Sequence, residues 1–210
     1  PLSEIGPATA VTIHSGTQFQ GPGNPGDQTG GWLIWRARGG TWQSTSLVFH
    51  AESGNDKFWR AVLDTAAFGP ADVLANLPYH PSCGMWFDNH LLTDPKAMPP
   101  TGFKGRYGKA PSAARLVYEH YAPTHPELAL HATLVTETDR LDSAQLTLED
   151  VVAPAGYILV GLTLDSRTSL GGPREYFDLL LPAVRDRPVE EVVDLPQVRE
   201  RAARMREQDH

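Results

Sequence analysis

The sequence predicts an α/β domain built on a largely parallel sheet flanked by helices, with further helices closing the C-terminal end. Two observations carry that prediction. Short runs rich in β-branched and aromatic residues are followed by longer segments of helical period, as in strand-then-helix units. Polar and charged residues also stand just past the C-terminal ends of those runs, where parallel sheets bind ligands.

The elements follow in chain order. Val11–Ile13 reads as the end of a short strand and Trp32–Trp35 as a second apolar piece. Between them Gly21–Gly26 (Gly-Pro-Gly-Asn-Pro-Gly) must be loop, because Pro lacks an N–H and Gly costs backbone entropy. Ser46–Phe49 is the next strand, before a polar stretch over Ala51–Lys57. Asp72–Leu77 is a short apolar segment stopped by Pro78, and Gly84–Phe87 is a strand that delivers Asp88, Asn89 and His90 at its end. The Pro- and Gly-rich span 94–111 reads as loop. Ser112 caps a helix over Ala113–Tyr121, and Pro126–Asp139 is a second helix with Leu128, Leu130, Leu134 and Val135 inward. Leu148–Val152 forms a further turn before Pro154. Tyr157–Leu164 is a buried strand or a buried helix, which periodicity cannot separate at that length. Glu175–Val184 and Val189–Gln208 are closing helices. The domain layout is a Gly/Pro-rich N-terminal segment (1–45) with the first strand or strands and an insertion at 21–31, an α/β domain (46–184), and a helical extension (185–210) packed on it.

Composition narrows the function classes. At 210 residues with 40% hydrophobic and 20% charged residues, the chain suits one globular core. Its longest apolar run, Tyr157–Leu164, is far short of the roughly 20 residues needed to span a bilayer, so a soluble protein is expected. A net charge of −7 with no basic run argues against nucleic acid as a partner. The single Cys83 makes no intrachain disulfide, which fits a reducing compartment. A cytoplasmic or organellar location follows, mitochondrial included because the chain begins at Pro1. Cys83 is expected to pack as a small apolar residue.

Two clusters carry candidate chemistry. Asp88 and His90, a carboxylate and an imidazole just past a strand, suit part of a Mn²⁺, Mg²⁺ or Zn²⁺ site; a turn-capping Asp beside a surface His is the alternative. Asp139 and Asp142 share one helix face, with capping of the following turn as the other use of Asp142. Trp32, Trp35 and Trp42 serve packing or a docking face.

The motifs together resemble the DHH phosphoesterase superfamily, in its exopolyphosphatase-like branch. They are Asn76-Leu-Pro-Tyr79, Trp86-Phe-Asp-Asn-His90, Ala110–Tyr118, Asp142-Ser-Ala-Gln-Leu-Thr-Leu-Glu149, Leu164–Gly171 and Leu195–Arg201, in that order. The resemblance implies a DHH-type domain in which two Mn²⁺ or Mg²⁺ ions are held by an Asp-x-Asp motif, a second-strand Asp, an Asp-His-His motif and a late Asp. Here Asp88 and His90 match the first and third residues of Asp-His-His, with Asn89 in the middle, and Asp142 matches the late Asp. Gln18 and Gln20 stand where the Asp-x-Asp pair is expected, and Asn76 at the second-strand position. Neutral amides are poor substitutes for carboxylates against about four positive charges. The implied reading is a degenerate, non-catalytic member with no cofactor, acting as a structural or accessory subunit beside other protein subunits. The alternative is an active phosphoesterase on phosphate esters or polyphosphate, with one Mn²⁺ or Mg²⁺ on Asp88, His90 and Asp142 and with Arg115 and Arg167 binding substrate.

Overall fold

The computed structural model describes residues 11–16, 45–50, 70, 72–93, 95–164 and 174–208. Gln18, Gln20, Trp32, Trp35, Trp42, Arg167 and the 21–31 and 51–57 stretches lie outside them.

Five strands form one parallel sheet: β1 (Val11–Gly16), β2 (Thr45–His50), β3 (Asp72–Ala75), β4 (Met85–Asp88) and β5 (Gly105–Tyr107), in the order β2-β1-β3-β4-β5. This is a doubly wound sheet, in which the winding direction reverses between β1 and β3. The registers place Ser15 of β1 beside Ala75, and Ala75 beside Phe87. Gly16, Asn76 and Asp88 therefore stand at adjoining strand ends along one edge. Ligands bind at that place in sheets of this winding.

β3 and β4 are strands for the expected reason. Val73, Leu74, Met85, Trp86 and Phe87 are each at most 1% exposed, so alternate side chains enter cores on both faces of the sheet. On one face Val73, Ala75, Met85 and Phe87 pack with Leu116, Val117 and Tyr121 of α1 (Ala113–Tyr121) and with Val135 of α2 (Ala132–Asp142). On the other, Leu74, Leu77 and Trp86 gather Tyr79, Cys83, Phe103 and Tyr107. Trp86 stacks on Tyr107 at 5.1 Å, and its indole N–H donates to the Leu77 carbonyl at 2.7 Å, so its one polar group is satisfied while buried.

β5 corrects the expectation of loop throughout 94–111. Three residues, of which the first is Gly105 and after which Gly108 follows, carry little strand propensity, and the strand exists through its pairing with β4. Gly105 is required there: its φ is +112°, and a Cβ would run into the Trp86 carbonyl oxygen. The helix expected over 126–139 divides into a 3-10 segment, Pro126–His131, and α2. The tighter period turns Leu130 out to 84% exposure while Leu128 stays buried, so Leu130 is not inward as expected.

The C-terminal half is helical: α3 (Leu148–Val152), α4 (Gly156–Leu162), α5 (Arg174–Asp186), α6 (Val189–Val193) and α7 (Pro196–Gln208). The ambiguous segment near 157–164 is thus a helix, with Ile158, Leu159 and Val160 buried. The single helix expected over 189–208 is two, because Asp194 caps α6 and Pro196 takes the first position of α7. Val160, Leu164, Tyr176, Leu180, Val192 and Val198 form the core of this half. No helix among the described residues is long and apolar enough to cross a membrane.

Candidate functional site

The C-terminal edge of the sheet is built by three strand ends. β4 delivers Asp88, 2% exposed, at its last position. The Asp88 Oδ1 atom lies 2.6 Å from His90 Nδ1 and also accepts the His90 backbone N–H at 3.3 Å. Burial pushes the Asp88 carboxyl above its ordinary range, and the His90 contact pulls it back in part. A carboxylate that holds an imidazole through Nδ1 fixes the orientation of that ring. The same oxygen is thereby committed.

Asn89 links this end to the next element. Its Nδ2 donates to the Ala110 carbonyl at 3.1 Å, two residues before Ser112 caps α1. The Asn89 Oδ1 atom is buried without a hydrogen-bond partner among the described residues. On β3, Asn76 follows the last strand residue at φ +58°, and its backbone N–H donates to the Phe87 carbonyl at 2.9 Å. Asn tolerates that left-handed backbone better than most side chains do. An amide at 76 therefore has a conformational reason as well as a chemical one.

The structure gives Asp139, expected to share a helix face with Asp142, partners that the sequence does not identify. Asp139, 8% exposed, accepts the Ser112 hydroxyl at 2.6 Å on one oxygen. Its other oxygen takes Arg115 Nε at 2.8 Å and Nη2 at 2.5 Å. Ser112 in turn accepts the Arg115 backbone N–H at 3.0 Å as the cap of α1. The signal was available: Asp139 falls four residues after buried Val135 on the inner face of α2, and an acid facing inward needs partners. Arg115, expected at a substrate, is engaged here. Asp142 lies one turn further on, half-buried, just before the Ser143 cap of α2. The helix after it is capped instead by Thr147, in a reciprocal box with Asp150.

Among the described residues no three His, Cys, Asp or Glu side chains converge as a group able to hold a metal ion, so Asp88, His90 and Asp142 are not assembled into one. The dinuclear pair implied by the resemblance does not fit the donors described at this edge. They comprise one buried carboxylate already joined to an imidazole, flanked by the amides of Asn76 and Asn89.

The structure of PggH, the pGpG-specific phosphodiesterase of Vibrio cholerae, matches this chain with a TM-score of 0.66 at 23% identity. The likeness is one of fold, a parallel sheet flanked by helices. The match covers 92% of this chain and 58% of PggH, so the chain spans little more than half the length of that neighbour. No family profile and no curated protein matches the sequence.

Proposed function

We propose that this chain is a non-catalytic, DHH phosphoesterase-like protein that serves as a structural or accessory subunit of a larger assembly. One observation carries the reading: the buried carboxylate described at the strand-end crevice, Asp88, is already bonded to His90, and the positions beside it are amides. Gln18 and Gln20, two and four residues past the end of β1, extend that pattern in the sequence. Several anionic ligands are needed to balance two divalent ions, and amide oxygens supply none of that charge. No resident cofactor is expected, and the partners are other protein subunits.

The second reading is a metal-dependent phosphoesterase with a reduced site. It is favoured by the retained Asp88–His90 pair and by the likeness to a phosphodiesterase fold. Asp88 and His90 would then supply part of a site for a single Mn²⁺ or Mg²⁺ as a Lewis acid, with Arg167 meeting the anionic substrate. The linear dinucleotide pGpG is the first substrate to assay, ahead of polyphosphate.

Hydrolysis of pGpG and of polyphosphate is measured with Mn²⁺ for the native chain and for the combined variant Gln18→Asp, Gln20→Asp and Asn89→His. Turnover confined to the variant supports the non-catalytic reading. Turnover by the native chain, abolished by Asp88→Ala, establishes the second.

A further inference from the structure

The edge of the sheet formed by β5 has backbone and charge features that the crevice does not use. β5 closes the sheet of the described residues. Its bonds to β4 engage even-numbered positions: the Trp86 N–H donates to the Lys104 carbonyl at 2.9 Å, and the Gly108 N–H to the Asp88 carbonyl at 3.3 Å. The alternation of a parallel ladder then turns the N–H and C=O groups of Gly105 and Tyr107 outward. Among the described residues no further strand pairs with them.

The charge of this edge is opposite to that of the chain. Residues 95–118 hold Lys96, Lys104, Arg106, Lys109 and Arg115 with no acid, so of 18 Lys and Arg the remaining thirteen face all 25 Asp and Glu. Arg115 is turned onto Asp139, and Arg106 pairs with Glu119 of α1 at 3.2 Å. Lys104 and Lys109 are exposed at the two ends of β5, with no ion pair among the described residues. Five residues of extended chain separate them by up to roughly 16 Å, too far for one phosphate to bridge and suited to an extended chain. Lysines on an edge keep similar edges apart. They attract an acidic one.

We propose that β5 is a docking edge for an acidic, extended peptide segment of a partner protein, which joins the sheet beyond β5. Its backbone would pair with Gly105 and Tyr107, and its carboxylates would meet Lys104 and Lys109. This edge would act whether or not the crevice is catalytic.

The probe is a short blocked peptide of alternating Glu and Val, used beside the same peptide N-methylated at alternate amides. Fluorescence anisotropy at low salt is expected to show saturable binding of the first and none of the second. Lys104→Glu with Lys109→Glu weakens it roughly five- to tenfold, and circular dichroism confirms that this variant is folded. On the native chain, peptide slows amide exchange at Gly105 and Tyr107. Absence of saturable binding overturns the proposal, as does equal binding of the N-methylated peptide. Binding of inorganic tripolyphosphate in preference to the peptide, through the same lysines, overturns it in favour of a small anion.

Discussion

The sheet half and the helical half of this molecule bury different kinds of residue. Around β3, β4, α1 and α2 the interior includes Asn76, Asp88, Ser112, Thr138 and Asp139 among its apolar side chains. Between α4 and α7 the described interior is almost wholly apolar, and its polar content is the Thr163 hydroxyl, 2.7 Å from that of Tyr176, with Arg201 donating to the Thr163 carbonyl at 3.1 Å. Arg201 also lies over the Tyr176 ring at 4.3 Å. Buried polar groups are tolerated only with partners, and a fold that keeps them at strand ends is retaining a site or the remnant of one. The helical half is a packing scaffold. The sheet half holds most of the buried polar groups.

The contrast predicts that the two halves break differently. Asp139→Ala strands the Arg115 guanidinium and the Ser112 hydroxyl, and should cost about 3–5 kcal/mol in urea unfolding. Asp139→Asn rescues little, because the counter-charge is gone. Leu180→Ala, at a site 0% exposed, should cost about 3 kcal/mol through its cavity, and Leu180→Met should restore most of that. Equal rescue by the conservative variants at both sites would erase the distinction. Within the helical half, Tyr176→Phe removes only the Thr163 bond and should cost about 1 kcal/mol.

Asp88 sharpens the comparison in the opposite direction. Burial raises its folded pKa, so its contribution to stability is largest below the unfolded value and declines as pH rises toward the folded one. Asp88→Asn should therefore raise the melting temperature at pH 7 and flatten its acid dependence. A lower melting temperature at pH 7 would show that the His90 contact outweighs burial.

The smallest effects are at the surface and at the lone thiol. Asp150 is held at about 2, first by the Thr147 side-chain and backbone bonds and then by Arg140. A depressed carboxylate lends stability above its unfolded value of about 3.9 and loses it as pH falls toward its folded value. Asp150→Asn should remove a slight acid-side loss of melting temperature between about pH 4 and pH 2, and an unchanged acid limb would count against the capping box. The Cys83 thiol is pushed up to about 11 by burial, so it should react slowly with a thiol reagent at neutral pH. Fast stoichiometric labelling would contradict its packing against the cluster of Leu74, Leu77 and Trp86.

How much was legible in the sequence divides along the same line. β3, β4 and α1 were readable because apolar pattern, Pro78 and the Ser112 cap agree locally. β5 was not: its three residues become a strand through β4 and through a glycine that lets the backbone approach Trp86. The 157–164 segment is apolar in either state, and packing against the closing helices decides for helix. At the crevice, Asp88, Asn89 and His90 were placed correctly at a strand end. Asp139 was named beside Asp142 on one helix face, but its inward position on α2, which calls for buried partners, was not used. Long-range partners, Ser112 and Arg115 for Asp139 and Ala110 for Asn89, set those roles, and spacing in one segment does not encode them.

The most direct test of the central claim is calorimetric titration of the native chain with Mn²⁺, run beside the Gln18→Asp, Gln20→Asp and Asn89→His variant. No heat of binding at millimolar Mn²⁺ for the native chain, with binding gained in the variant, is the predicted result. Two tight sites in the native chain would contradict it.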